Sequence, residues 1–303
     1  MRKLLLAAVL AFAPAPALSG RAAPPAPSAP AAQPAADADP ALWVVRDEDT
    51  TIYLFGTFHL LDGRREWFND EIRAAFDASE ELVLEAVLPE DAATMQPLVF
   101  RYAVDPERTL SERLGEERNR ALGEALAGLG LPAAAFDRFE PWFAAMTLEG
   151  LASQRLGIRA EHGAEMVLLR AARERGIAIG ELEGVEYQLD LFDRLPEATQ
   201  LAWLNLAVDN IAVIVDGLPP MLAAWSEGDV ERLAELLNGE IGEYPEFYRI
   251  LLSERNAAWA EWVDDRLDRP GTLFVAVGAG HLGGRDSLQA MLAARGIPAT
   301  RLD

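Results

Sequence analysis

The sequence predicts an α/β fold in which two facing βα-type halves form a central sheet, with a long, mostly helical middle region packed over it as a cap. Two runs of β-forming residues, 52–55 and 272–277, lie near opposite ends of the chain and read as buried strands of a parallel sheet. Both runs end alike: Gly56 is followed three places later by His59, and Gly278 by His281. Between about residues 89 and 268 the apolar spacing is helical and interrupted by one short strand-like run.

The histidine spacing is informative because the chain has only three histidines. With glycine near 7% of average composition, a given histidine has a glycine three places before it about one time in fourteen. Glycine after a buried strand allows a tight turn or a close approach of backbone to ligand. A polar side chain just past such a strand stands at the carboxyl edge of the sheet, where open α/β folds place their ligands.

Taken in order, Arg2 and Lys3 precede an apolar run at 4–12 and small residues near 15–23, the pattern of a secretory signal peptide over 1–23. Residues 24–40 are mostly Ala and Pro and read as a disordered tether. The expected domain spans 41–303. It opens with strands at 42–46 and 51–55 joined by a turn at 47–50. Asn69 or Asp70 can cap a helix running to about Ser79. A strand at 81–85 ends in Glu85, and another at 177–183 ends in Glu183. The helical insertion, about 89–268, is expected to be punctuated at Pro97, Pro106, Gly115, Pro132, Pro141, Pro196, Pro219, Pro220 and Pro245. Its last helix carries Arg255, Asn256, Trp259 and Val263 at helical spacing, and a helix to Arg295 and a strand at 297–302 close the chain.

Composition excludes several functions. There is no cysteine, hence no thiol mechanism, disulfide or lipoprotein anchor. A net charge of −22 argues against a nucleic-acid partner. No stretch beyond the N-terminal run is long and apolar enough to span a membrane, so no stable insertion is expected after signal removal. There is no Gly-x-Ser-x-Gly elbow, and Gly278 and Gly280 lack the third glycine of a dinucleotide fingerprint.

Four adjacent strand ends would gather His59, His281, Glu85 and Glu183 into one site, since neighbouring strands lie about 4.8 Å apart. Imidazole and carboxylate together suit Zn, Mn, Co or Fe better than Ca. The same groups suit metal-free acid–base chemistry, and the residue types do not separate the two. Each also has a plainer reading: Glu85 and Glu183 as strand-end residues, Arg255 and Asn256 as a helix polar face, His162 as a surface or capping residue, and the tryptophans as core. Glu165 can be a ligand or simply an acid placed for the helix dipole.

The stretches containing Trp43, Gly56, His59, Glu85, Glu183, Gln188, Arg255, Asn256, Trp259, Gly278 and His281 resemble the TraB/GumN/TIKI family, related to the erythromycin esterase and ChaN-like folds. The resemblance covers about residues 41–303. It implies a metal-dependent, peptidase-like hydrolase acting on a peptide or protein, with Mn or Co as the divalent metal and Zn or Fe as other choices. On that reading His59, His281, Glu85 and Glu183 hold the metal. One of the two carboxylates serves as base, and Arg255 and Asn256 steady the developing oxyanion. The chain departs from many bacterial members in having Glu165 where they carry a shorter acid. The expectation is thus an exported, periplasmic or secreted hydrolase. A metal-free His/Glu esterase and a non-catalytic binding or inhibitory module are the alternatives.

Overall fold

The computed structural model describes residues 36–89, 91–241 and 244–302. The signal peptide expected over 1–23 and most of the tether expected over 24–40 lie outside these residues. The last residues assigned to the tether belong to the fold. Strand β1 (Ala36–Asp37) pairs in parallel with β4 (Arg65–Glu66), and Ala38 is buried behind it.

The domain proper opens with the expected hairpin of β2 (Leu42–Arg46) and β3 (Thr50–Thr57). Its turn is set by Asp47, whose Oδ1 accepts from the N–H of Asp49 at 3.1 Å and of Thr50 at 2.7 Å. Asn69 caps α1 (Asp70–Ala78) by accepting from the N–H of Ile72, and β5 (Glu81–Leu84) follows. The helical region contains α2 (Ala92–Tyr102), α3 (Leu110–Gly128), α4 (Pro141–Gln154) and α5 (Ala164–Arg175). After β6 (Ala178–Glu181) come α6 (Val185–Asp193), α7 (Glu197–Ser226), α8 (Val230–Ile241) and α9 (Pro245–Tyr248). A π-helical turn, Arg249–Ser253, leads into α10 (Glu254–Leu267), then β7 (Gly271–Gly278), α11 (Leu288–Ala294) and β8 (Thr300–Leu302).

The six-stranded sheet has the order β6-β5-β7-β3-β2-β8. Its first four strands are parallel, and β2 runs antiparallel to both β3 and β8. The sheet is mixed and is assembled from both ends of the chain. Alternation of side chains divides its core in two. Phe55, Leu82, Leu84, Phe274 and Ala276 face α1, α5 and the end of α7, where they meet Phe76, Leu168 and Trp225. Ile52, Leu54, Val83, Leu273, Val275 and Val277 face α10 and α11, meeting Trp259, Val263 and Leu292. Helices α3, α4, α6 and the start of α7 form a separate core around Trp142, Leu189 and Trp203. The cap therefore has its own apolar centre.

Two expectations need correction. The strand expected over 177–183 is shorter, and β6 lies at the sheet's edge with Ala178 and Glu181 exposed. Its apolar residues are too few to need cover on both faces. The proline pair at 219–220 does not end its helix. Helix α7 runs through both prolines, which face solvent while Leu218, Met221, Leu222 and Trp225 anchor the same segment in the core. Carbonyls that lose their N–H partners on the exposed side can bind water, so packing outweighs the local cost. Pro97 lies inside α2 in the same way. By contrast, Gly115, with φ of 74°, does kink α3, and Pro141 and Pro245 begin their helices.

Candidate functional site

The four parallel strands end side by side, and the residues just beyond β6, β5, β7 and β3 are Glu183, Glu85, His281 and His59. The parallel register continues past the strands, with the Glu183 N–H donating to the Glu85 carbonyl at 2.8 Å. The first turn of α10 crosses above and inserts Arg255 and Asn256, both buried, on the same face as Trp259, Ala260 and Val263. The π-helical turn just before α10 accommodates this entry, as such irregular turns do at many functional sites.

Arg255 sits at the centre of the cluster. Its Nε donates to Glu183 Oε1 and Oε2 at 2.9 and 3.1 Å, and its Nη2 to Glu85 Oε2 and Glu183 Oε2 at 2.7 and 2.8 Å. Its Nη1 reaches the Leu251 carbonyl at 3.3 Å and His281 Nε2 at 3.1 Å. The guanidinium also lies 4.7 Å from the centre of the Trp259 ring, whose Nε1 donates to Glu183 Oε1 at 3.0 Å. All five N–H donors of the guanidinium are thus engaged. Burial opposes its charge, but Glu85 and Glu183 outweigh that and hold Arg255 even more firmly protonated than usual.

The other groups lock around it. Asn256 Nδ2 donates to the carbonyls of Asp286 at 2.7 Å and His281 at 3.3 Å, which leaves its Oδ1 to accept from His281 Nδ1 at 2.7 Å. His281 is therefore protonated on Nδ1 and turns its Nε2 lone pair to Arg255. Burial and the adjacent guanidinium push its pKa down to about 3, so it is neutral at ordinary pH. Burial favours the acid form of Glu85, yet Arg255 and the Gly278 N–H, which donates to Oε1 at 2.5 Å, bring its pKa down to about 2.

His59 stands apart from this network. Its Nδ1 is 2.6 Å from Glu165 Oε1, while its Nε2 is buried with no hydrogen-bond partner among the described residues. Burial alone would lower its pKa, but the Glu165 carboxylate, helped by Glu85, outweighs that and raises it to about 9. Gly163 makes the pairing possible. A Cβ there would fall 2.3 Å from the His59 carbonyl oxygen, so only glycine lets the start of α5 approach and bring Glu165 to the imidazole. Gly278 keeps the space in front of His59 open: a Cβ there would lie 3.1 Å from Glu85 Oε1 and 3.7 Å from His59 Nε2.

His59, Glu165, Glu85 and Gln188 line a small cleft, partly open to solvent, with Leu84, Leu88, Met166 and Leu169 as apolar walls. Gln188 bridges the two halves of the site: its Nε2 lies 3.1 Å from Glu183 Oε2 and 3.4 Å from Glu85 Oε2.

The structure thus gathers His59, His281, Glu85, Glu183, Arg255 and Asn256 at one edge of the sheet. His162 is part of a separate, partly exposed groove with Arg65 and Asp70. The expected division of labour does not fit the donors. Of the expected ligands His59, His281, Glu85 and Glu183, the Arg255 cation takes Glu85 Oε2, both oxygens of Glu183 and Nε2 of His281, while His59 Nε2 stays open. Among the described residues no three His, Cys, Asp or Glu side chains are arranged to hold a metal ion. The N–H groups of Arg255 and Asn256, expected to steady an oxyanion, are all engaged within the protein.

The sequence reading left two contributions short. Glu165 was balanced between a ligand and a dipole role, and its partner proves to be His59. Gln188 entered only through the family resemblance. Its own signal is positional: with Val185, Leu189 and Phe192 it occupies the buried stripe of α6, a polar residue where the pattern calls for an apolar one.

Comparison with known proteins adds a family. A family model described as the TraB/PrgY/gumN family matches residues 41–301. The chain is 32% identical over 183 residues to the uncharacterized protein YbaP of Escherichia coli K12, covering 60% of this chain and 67% of that protein. The same identity and coverage hold for YbaP of Shigella flexneri. No solved structure matches.

Proposed function

The chain belongs to the TraB/PrgY/gumN family, and from that premise we propose that it is a hydrolase in which His59, held by Glu165, carries the proton transfers without a metal. The observation behind this reading is the His59 Nε2 atom, buried, unpartnered and lining the cleft while its Nδ1 is anchored by a carboxylate. Buried polar atoms are rarely left without a partner, and an exception calls for an explanation such as a catalytic role.

As an imidazolium, His59 presents an Nε2–H to the carbonyl oxygen of a bound substrate and polarises it. Water adds to the carbonyl carbon, the imidazolium passes its proton to the departing atom, and the bond to that atom breaks. The proton left on the added water then returns to His59. The Arg255 cluster positions the parts: it keeps Glu85 ionised near His59, holds Glu183 against α10, and fixes His281 as the neutral wall of the site. The apolar walls of the cleft favour an apolar group on the acyl side. Export of the protein is supported by the residue pattern at 1–23 alone, and a peptide or protein substrate by the family resemblance.

The test is hydrolysis of chromogenic leucyl ester and amide substrates by wild type and His59→Gln, each with chelator and with added Mn or Co. The expected result is turnover indifferent to chelator and reduced about 100-fold or more in the variant. Turnover that requires Mn or Co overturns the metal-free mechanism. Absence of turnover under every condition favours a binding module.

A further inference from the structure

His59 Nε2 has a counterpart on another residue of the cleft. Gln188 is 0% exposed, and its Oε1 is buried with no hydrogen-bond partner among the described residues. The amide orientation is not arbitrary, because the Nε2 side faces two carboxylates, Glu85 and Glu183, which can only accept. The oxygen is therefore the atom left over, and Gln188 lines the same cleft as His59. A buried carbonyl-type acceptor needs a donor, and no described residue supplies one.

We infer that Gln188 is a specificity-determining residue: its Oε1 accepts the N–H of a secondary amide whose carbonyl lies against His59 Nε2. An ester offers an oxygen at that point and an N-methylated amide a methyl group, so both leave Gln188 Oε1 unpaired. The inference rests on the hydrolase reading above and narrows it to amide bonds. It also explains why a glutamine rather than an apolar residue occupies the buried stripe of α6. The Nε2 end braces the carboxylates, and the Oε1 end reads the substrate.

The experiment compares kcat/KM for three substrates sharing an N-acyl-leucine group: a p-nitroanilide, its N-methyl counterpart and the p-nitrophenyl ester. The ester is normalised by its uncatalysed rate. Wild type is expected to favour the N–H anilide over the N-methyl form by about 10–100-fold relative to the uncatalysed preference, the usual effect of leaving one buried polar group unpaired. In Gln188→Met the loss of the carboxylate brace lowers activity on all three. The preference for N–H collapses toward unity, because only the Oε1 contact distinguishes them. The wild-type comparison stands by itself if the variant folds poorly. Equal turnover of the N–H and N-methyl anilides by wild type overturns the inference and leaves the hydrolase reading intact; Gln188 Oε1 then holds only water. A preference that survives in Gln188→Met also overturns it. Turnover of none of the three overturns both readings together.

Discussion

Glu165→Gln tests the central pairing most directly, because it removes the charge while keeping the size and an acceptor for His59 Nδ1–H. The His59 pKa stands at about 9 against an ordinary value of 6.5. That difference, at about 1.4 kcal/mol per tenfold change, corresponds to about 3 kcal/mol of preference for the protonated form in the folded chain. A raised histidine pKa stabilises the fold fully below the unfolded value, and the contribution is lost as pH rises through the folded value. Wild type should therefore exceed Glu165→Gln in stability by about 3 kcal/mol near pH 6. The gap should narrow between pH 6.5 and 9 to whatever the neutral hydrogen bond contributes. With the carboxylate gone, burial and Arg255 pull His59 down and only Glu85 pulls it up, so the pKa should fall to 6.5 or below. The chain has three histidines, so three ring C–H signals can be followed by NMR titration and assigned by replacing each histidine in turn. Urea unfolding at pH 6 and 9 supplies the second axis. A wild-type His59 that titrates near 6.5, or a stability gap with no pH dependence, refutes the pairing. It would also remove the imidazolium from the mechanism.

Other substitutions probe the rest of the architecture. Arg255→Met leaves Glu85 and Glu183 buried without their cation and is expected to cost about 3–5 kcal/mol in urea unfolding at pH 7. Arg255→Lys should restore little of this, because a single ammonium cannot make the forked contacts to both carboxylates; full restoration would show that charge alone suffices. Gly278→Ala, at an ordinary negative φ of −52°, should fold with a small loss of melting temperature. It should lose most turnover because the methyl intrudes between Glu85 and His59, and an active variant would mean that this space is not used. Glu149, 2% exposed in the helical core with Trp203 Nε1 as its donor at 3.2 Å, has its pKa raised well above normal by burial. Its neutral form stabilises the fold below the unfolded carboxylate pKa, and this is lost as pH rises. Glu149→Gln should therefore gain on wild type in thermal unfolding between pH 4 and 8, and a difference constant with pH would contradict the burial argument.

Much of this was legible in the chain because the informative features are local. A glycine and a histidine behind an apolar run mark a strand end whatever the remainder does, and two carboxylates at the ends of other strands mark two more. Parallel register then brings all four together, since β5, β7 and β3 pair side by side and β6 follows at the edge. Helix boundaries at Asn69 and Pro245 follow from capping chemistry in the same local way. The proline pair in α7 was misread because local backbone cost was weighed without the tertiary anchoring of Leu218, Met221 and Trp225.

The metal expectation shows where residue types stop being informative. Two histidines and two glutamates at one edge describe a divalent-cation site and a guanidinium site equally well, because both need the same carboxylates and the same imidazole lone pair. The choice depends on whether a long cationic side chain from another element can reach the centre. Arg255 arrives from the first turn of α10, more than seventy residues after Glu183, through a π-helical turn that no periodicity announces. Once it is in place, the charges of Glu85 and Glu183 are already compensated inside the protein, and His281 is neutral and spoken for. Among the described residues that line the cleft, His59 Nε2 and Gln188 Oε1 are buried without a partner, and Glu165 Oε1 has only its ion pair with His59. A site whose charges are closed internally while a buried donor and a buried acceptor stay unpaired is arranged to take a neutral polar group. That arrangement is what supports the proposal of an amide-bond substrate with His59 carrying the proton.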